Sequence, residues 1–399
     1  MRMHEETNPI VIVGMARTPM GAFQGDLSSL SATELGSAAI KAAVSGLQNI
    51  DINDVVMGCV LAAGLGQAPA RQASVGAGLA DNIGATTINK MCGSGMKAVM
   101  LAHDSILAGS NNIVVAGGME SMSNAPYLLP KARAGMRMGH GQVMDHMFLD
   151  GLEDAYDAGK LMGVFAEQCA SHYNFTREVQ DEFALRSLSR ANQAIKSGAF
   201  ESEITPVTIK TRKGEIVIDT DEQPPKGRPD KIPTLRPAFT KDGTVTAANA
   251  SSISDGAAAL VLMRKSDAEK RGLKVLATIR GHITHAGAPQ LFATAPIGAL
   301  QKLSEKSGWA LADVDLFEIN EAFAVVTMAT MKDLDLPDDK VNIHGGACAL
   351  GHPIGASGAR ILVTLLAAMQ RRGVSKGMAT LCIGGGEAVA IAIEREDHR

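Results

Sequence analysis

Five cysteines, at 59, 92, 169, 348 and 382, are spread over the 399 residues, and two of them sit where a thiol can react. Cys92 follows a short β-type run at 86–89 and is followed by Gly93-Ser94-Gly95 and a helical pattern. A thiol at the start of a helix meets unpaired N–H groups and the positive end of the helix dipole, which favour thiolate and lower its pKa. The flanking glycines let a substrate approach the backbone closely. Cys382 ends an apolar strand pattern at 379–383 and precedes Gly384-Gly385-Gly386, whose N–H groups suit a developing oxyanion. His352, fixed by Pro353 within the glycine-dense stretch 345–358, has the type and setting of a general base for a thiol. Asn320, at the end of the pattern 313–320, could hold a water or a substrate oxygen. Taken singly, each also suits a plain structural role: a buried cysteine, a solvated loop histidine, a helix-capping asparagine. Taken together, all four lie at expected strand C-termini or on the loops after them, where open α/β sheets hold ligands. A nucleophilic Cys, a His base, a second acid/base thiol and two oxyanion pockets are the parts that carbon–carbon bond chemistry on a thioester requires.

The pattern around these residues supplies a framework. Short β-branched runs at 10–14, 55–60, 86–89 and 112–116 alternate with helical spacing at 33–47, 71–79 and 96–108. Such alternation predicts an α/β fold whose parallel sheet is covered by helices on both faces. From 123 to 247 the texture changes. A basic, Met-rich stretch at 131–146 precedes one amphipathic helix over 177–197, opened by the N-cap Thr176, and a polar segment at 219–237 with five prolines. This reads as a loop-rich subdomain inserted into the first unit, with a buried strand resuming at 255–263. The third part repeats the first. The run 313–320 matches 54–59, and Gly355-Ala356-Ser357-Gly358 opens a helix over 359–372 as Cys92-Gly93-Ser94-Gly95 does. The run 379–383 with its three glycines parallels 113–116 with Gly117-Gly118. The expectation is an internal duplication: an N-terminal α/β half (1–123 plus 248–274), an inserted subdomain (124–247) and a C-terminal α/β half (275–399).

Composition removes other classes. Net charge is −4, which does not suit a polyanion binder, so no nucleic-acid partner is expected. No apolar run reaches the ~18 residues of a membrane span. The start is neither a secretion signal nor an Arg-rich transit peptide, and the last residues carry no peroxisomal tripeptide. An odd number of cysteines with no CxxC pair argues against a disulfide framework and a Cys-based zinc site. A reducing compartment, bacterial-type cytoplasm, is expected. Gly76-Ala77-Gly78 lacks the third glycine of a dinucleotide fingerprint. Glycine is abundant, at 42 residues, while aromatics are few (10 Phe, 3 Tyr, 1 Trp), which suggests close backbone packing. Many of these glycines fall in the strand-end loops of the proposed site.

Six blocks, in order, make the chain resemble the thiolase family, the acetyl-CoA C-acyltransferases and acetyltransferases, over nearly its whole length. They are Asn89-Lys90-Met91-Cys92-Gly93-Ser94-Gly95, Gly117-Gly118-Met119-Glu120-Ser121-Met122-Ser123, Asn249-Ala250-Ser251 with Asp255-Gly256-Ala257-Ala258, Asn320-Glu321-Ala322-Phe323, Gly351-His352-Pro353-Ile354-Gly355 and Cys382-Ile383-Gly384-Gly385-Gly386. The resemblance implies a thiolase-like duplicated α-β-α-β-α layered fold with the inserted loop subdomain. It implies Cys92 as the acylated nucleophile, His352 as its activator and Cys382 as the acid/base at C2 of the acetyl unit. Asn320, through a water, and His352 form one oxyanion pocket; the N–H groups of Cys92 and Gly384 form the other. Ser251, Phe239 and Leu152 match positions lining the pantetheine tunnel. Met162, Ala250 and Phe323 are counted with them, and Arg228 is placed near the CoA nucleotide. The implied reaction is reversible CoA-dependent cleavage of a 3-ketoacyl-CoA, or Claisen condensation of two acetyl-CoA. Coenzyme A thioesters are its substrates, no metal or redox cofactor takes part, and the assembly is a dimer or a dimer of dimers. A decarboxylating ketoacyl synthase and a non-catalytic acyl-CoA- or lipid-binding relative are the alternatives. Cys382 and the Asn320 block speak against the first, and the intact Cys92, His352 and Cys382 against the second. One departure concerns specificity: members restricted to acetoacetyl-CoA often carry His-Met-Gly where this chain has Leu161-Met162-Gly163. Losing that polar group leaves longer 3-ketoacyl substrates open.

Overall fold

The strands that carry the site belong to one sheet, in two halves of identical construction. The computed structural model describes residues 8–48 and 50–396. In the first half β1 (Ile10–Arg17), α1 (Ala32–Ala43), β2 (Asp54–Gly58), α2 (Pro69–Gly76), β3 (Gly84–Ile88), α3 (Ser94–Leu107) and β4 (Ile113–Ser121) follow one another. An inserted stretch then carries α4 (Met162–Tyr173) and α5 (Arg177–Lys196) before β5 (Ser254–Arg264). The second half runs β6 (Ala277–Ala286), α6 (Ala295–Ser307), β7 (Leu316–Ile319), α7 (Ala324–Leu334), α8 (Ile354–Arg372), β8 (Lys376–Ile383) and β9 (Glu387–Glu394).

Sheet order makes the duplication explicit. Across the sheet the strands run β7-β8-β9-β6-β1-β5-β4-β2-β3. Outward from the central β1–β6 pair, each half shows two antiparallel pairings and then parallel ones: β1/β5, β5/β4, β4/β2, β2/β3 on one side, β6/β9, β9/β8, β8/β7 on the other. A parallel bridge of Val341 to Phe317 stands where β3 stands in the first half. The sheet is therefore mixed, not parallel as the β-helix-β alternation suggests. Helical crossovers fix only the outer strands as parallel. β5 returns from the insertion, and β9 from the turn at 384–386, antiparallel to the strand before it.

Side-chain alternation builds the layers. Along β1, Ile10 and Ile12 face the interior that contains α3 and α8, whereas Val11 and Val13 face α1. α8 is buried through its length from Ile354 to Met369, the mark of a helix enclosed on all sides. It is covered by small and aliphatic residues and lies with α3 between the two halves of the sheet. The two helices touch backbone to backbone. A Cβ on Gly95 would lie 2.8 Å from the Ala359 nitrogen, and one on Gly358 would lie 2.5 Å from the Met96 nitrogen. This crossing sets the N-termini of α3 and α8 beside each other. Cys92 and His352 each precede the first residue of their helix by two positions.

The insertion is more ordered than a loop subdomain. α5 forms where the pattern places it, with the Thr176 hydroxyl accepting from the Val179 N–H. α4 is additional, with Phe165, Ala166, Cys169 and Ala170 on its buried face.

Candidate active site

The strand-to-helix turn 89–93 is built to present one side chain. Asn89 Oδ1 accepts from the Met91 N–H at 2.9 Å, and Ser94 Oγ accepts from the Lys90 N–H at 2.8 Å while donating to the Met91 carbonyl at 2.6 Å. Met91 is left with φ +47°, a left-handed conformation costly for a side chain of its size, so the turn is over-determined by its hydrogen bonds. Gly93 permits the close approach that follows: a Cβ there would lie 2.4 Å from Cδ1 of Ile383, at the end of β8. The turn thereby meets the strand end that carries Cys382 and Gly384. The N–H groups of Gly384 and of Cys92 itself lie close enough to the Cys92 sulfur to favour its thiolate, and the Cys382 thiol lies close enough to interact with it electrostatically.

The two thiols do not behave as their helix-terminal position alone suggests. Burial pushes the Cys92 thiol up to about 11, against the opposing pull of the two N–H groups, and the Glu120 carboxylate adds to the rise. Burial, with Cys92 nearby, also pushes the Cys382 thiol well above the ordinary range. The expected depression of the Cys92 pKa is thus reversed, because desolvating a thiolate outweighs the helix terminus.

His352 occupies the matching turn of the second half, two residues before α8, whose first turn packs on that of α3. Its N–H donates to the Ser252 carbonyl at 3.1 Å, and its Nδ1 lies 2.5 Å from Ser357 Oγ. The Ser357 hydroxyl is already committed to the Pro353 carbonyl at 2.9 Å. Ser357 can therefore only accept from the ring, so Nδ1 carries the proton and Nε2 presents a lone pair. Nε2 is buried with no partner among the described residues. Burial, with the Arg360 charge, lowers the imidazole to about 3, so it is neutral.

Asn320 directly follows β7 and is 1% exposed, and neither its Oδ1 nor its Nδ2 has a partner among the described residues. It is not a helix cap, since Phe323 occupies the N-cap of α7. The next residue, Glu321, pins this turn by accepting from Ser187 Oγ at 2.7 Å, Asn342 Nδ2 at 3.0 Å and the Cys348 N–H at 3.1 Å. A buried, unpartnered amide is expensive unless something is meant to bind it.

The whole chain can be compared with known proteins. The family model described as thiolase, N-terminal domain, matches residues 10–266, and that of the thiolase C-terminal domain matches 273–395. The chain belongs to the thiolase family. Acetyl-CoA acetyltransferase of Chromobacterium violaceum is 51% identical over 97% of this chain and 99% of its own length. The Escherichia coli acetyl-CoA acetyltransferase is 52% identical over 96% and 98%. The crystal structure of the Bacillus anthracis acetyl-CoA acetyltransferase superposes with a TM-score of 0.94 at 42% identity, covering 97% of this chain and 98% of that one. The protein is an acyltransferase, and these likenesses favour neither a decarboxylating synthase nor a non-catalytic binder.

In this thiolase the remaining sequence candidates divide into two apolar groups. Leu152 packs with Cys92, Met91 and Ile354. Met162, Phe239, Phe323 and Ala250 cluster with Cys382. The Phe239 and Phe323 rings meet edge to face, 5.8 Å apart. Ser251 donates both its N–H and its hydroxyl to the Ala322 carbonyl at 2.9 Å, and Ala250 bridges Phe323, which ties 249–251 to the Asn320 turn. Arg228 stands apart: its exposed guanidinium pairs with Asp230 at 3.1 Å and belongs to neither group. The basic stretch 131–143 is largely solvent-exposed.

Sequence reasoning singled out the block containing Glu120 but gave that residue no part. It is fully buried, and Oε2 accepts from the N–H groups of Gly355 (2.8 Å) and Val60 (3.0 Å) while Oε1 accepts from Leu61 (3.0 Å). Glu120 thus holds the first turn of α8, the helix that His352 precedes. The signal that could have found it is the duplication, because β4 is the counterpart of β8, the strand that ends in Cys382.

Proposed function

We propose that this thiolase runs a two-step acyl transfer through an acyl-Cys92 intermediate. The arrangement supporting it is a Cys92 sulfur within the influence of the Gly384 N–H and of Cys382, with the Nε2 of His352 and the amide of Asn320 buried and without partners among the described residues.

In the cleavage direction, Cys92 attacks the C3 carbonyl of a 3-ketoacyl-CoA and its proton passes to His352 Nε2. The tetrahedral oxyanion is held by the N–H groups of Cys92 and Gly384. Collapse breaks the C2–C3 bond, and its electron pair becomes the enolate of acetyl-CoA. The imidazolium of His352 and a water on Asn320 stabilise the enolate oxygen, and Cys382 gives its proton to C2. Cys382 then takes the proton of incoming CoA thiol, the CoA thiolate attacks the Cys92 thioester, and the departing Cys92 sulfur recovers its proton from His352. The Cys92 proton comes back through His352, and the proton that Cys382 gives to C2 is replaced by that of the CoA thiol, so protons and electrons balance without a redox partner. Run backwards, the same sequence condenses two acetyl-CoA.

The neutral state of the resting pair suits this scheme. A thiol near 11 and an imidazole near 3 both stay un-ionised until the attacked carbonyl supplies an acceptor for the charge, which protects a reactive thiol between turnovers. Ser251, Phe239, Leu152, Met162, Ala250 and Phe323 line the proposed pantetheine and acyl path, and Arg228 is assigned to its nucleotide end. A dimer or dimer of dimers is supported by β3, which lies at the sheet edge and leaves one side unpaired. A cytoplasmic setting fits five free cysteines and the lack, among the described residues, of any helix able to span a membrane.

The test is mass spectrometry of acid-quenched enzyme after mixing with acetoacetyl-CoA. One acetyl group on the Cys92 peptide, absent in Cys92→Ala, is the expected result. Acetylation on another cysteine, or none, overturns the assignment.

A further inference from the structure

At the far end of α3 from Cys92, three side chains with metal-binding atoms converge. His103 and Asp104 are neighbours on α3, about 14 Å along the helix from its start at 1.5 Å per residue, and His282 comes from β6. The atoms His103 Nδ1, His282 Nε2 and Asp104 Oδ1 form a triangle with edges of 3.2, 2.9 and 3.3 Å. An ion bound tetrahedrally by nitrogen and oxygen at ~2.0–2.1 Å has ligand-to-ligand edges of about 3.3 Å. The three atoms therefore already stand close to one face of a coordination tetrahedron.

Hydrogen bonding alone does not explain that triangle well. If both imidazoles donate to the single Asp104 oxygen, their two protons are crowded across the 3.2 Å gap between the nitrogens, and if one nitrogen is bare its lone pair faces the carboxylate oxygen at 2.9 or 3.3 Å. One cation in place of the two protons removes the clash. The rings stand at 87° to each other with centroids 4.9 Å apart, so their in-plane lone pairs can converge on one point. Both imidazoles are about nine-tenths buried, whereas the Asp104 side chain is 53% exposed, which leaves access and a fourth position for water.

We propose that His103, Asp104 and His282 bind one divalent transition ion of the zinc class, at a structural site separate from the thioester chemistry. Two imidazoles and one carboxylate suit Zn2+ or Co2+, while Mg2+ and Ca2+ need more oxygen ligands. The Lys306 ammonium on the His282 carbonyl, 3.0 Å away, further disfavours ions held mainly by charge. The ion joins a helix of the first half to the first strand of the second. The sequence hides this site because its ligands lie 178 and 179 positions apart and no Cys pair announces it.

The experiment uses full-chain enzyme stripped with chelator and titrated with Zn2+ by calorimetry and with Co2+ by absorption. Expected are one equivalent per chain, a raised Tm with Zn2+, and tetrahedral cobalt bands without a sulfur-to-cobalt charge-transfer band. His282→Gln and the more exposed Asp104→Asn each lose the binding and the Tm rise, with thiolysis by the metal-free protein unchanged, which shows that they fold. No saturable binding overturns the proposal, as does binding that survives in both variants. A sulfur charge-transfer band also overturns it, since the ion would then lie on the thiols.

Discussion

His352 Nδ1 and Ser357 Oγ lie 2.5 Å apart, and because the Ser357 hydroxyl is spent on the Pro353 carbonyl, this contact fixes the histidine tautomer. Ser357 sits in the first turn of α8, five residues on, so the helix that positions the imidazole also orients its proton. Ser357→Ala removes the acceptor and frees the ring to flip its tautomer. General-base catalysis is worth about 10²–10⁴, and losing its orientation should cost about 10–100-fold in kcat with little change in KM. Ser357→Thr keeps the oxygen and should recover most of the rate. Steady-state thiolysis by the two variants, with Tm measured alongside, separates tautomer control from packing.

The resting charge state of Cys92 is open to direct measurement. A thiolate–imidazolium pair would alkylate at a rate independent of pH between the low pKa of its thiol and the high pKa of its imidazolium. A thiol held near 11 reacts through its minor thiolate fraction, so the rate of iodoacetamide labelling at Cys92 should rise about tenfold per pH unit from 6 to 9. A flat profile counts against the neutral pair. Prior incubation with acetoacetyl-CoA should block labelling at Cys92.

Legibility of the sequence differed between kinds of residue. Cys92, His352 and Cys382 stand out in the sequence as reactive types in glycine-rich turns, and Asn320 as a polar residue closing a strand pattern. The structure puts Cys92 against the Gly384 turn beside Cys382, and leaves His352 and Asn320 buried with unpartnered polar atoms. The duplication was visible too, because the same glycine spacing, in Gly95 and Gly358, is needed wherever α3 and α8 touch. Strand direction was not, since the alternation of strands and helices says nothing of how β5 returns after the insertion. α4 escaped notice because Leu161 supplies no capping side chain. The thiol pKa was misjudged because the helix terminus is a local signal, whereas the burial that outweighs it comes from Ile383, Leu152 and other distant residues.

Glu120 offers a pH-dependent test of its buried position. Burial raises its carboxyl from 4.5 to about 7, against the pull of three N–H groups. The folded protein then keeps a proton that the unfolded chain has lost, so this residue's contribution to stability falls as pH rises from 4.5 through about 7. Glu120→Gln is neutral throughout and lacks this slope. Its amide can accept on one side only, which strands either the Leu61 N–H or those of Gly355 and Val60 together. That variant should lose about 1–3 kcal/mol at pH 5, the usual cost of an unmet buried group, and the gap to the parent should narrow by pH 8. Urea titrations at the two pH values measure this, and an unchanged gap rules out the raised carboxyl. Because Glu120 also holds the Gly355 N–H in the first turn of α8, kcat should fall wherever the amide leaves that bond unmade, by about tenfold for each 1.4 kcal/mol of misplacement.

Acyl-chain preference should follow from the loop that closes over the Gly384 turn. Leu161 precedes α4 and bridges Glu153, Met162 lies 3.9 Å from where a Cβ on Gly384 would stand, and the Tyr156 ring lies 3.8 Å from the same position on Gly385. Leu161 and Met162 are apolar, and neither can reject a longer chain by leaving a polar group unmatched. Thiolysis is therefore expected to extend past acetoacetyl-CoA to six- and eight-carbon substrates. Met162→Ala enlarges the same wall, and a methylene or two of added space is worth about 10–200-fold in discrimination. The ratio of kcat/KM for the eight-carbon over the four-carbon substrate should rise at least to the lower end of that range. Activity confined to four carbons in the parent, with no gain in the variant, would show that a different wall sets the length.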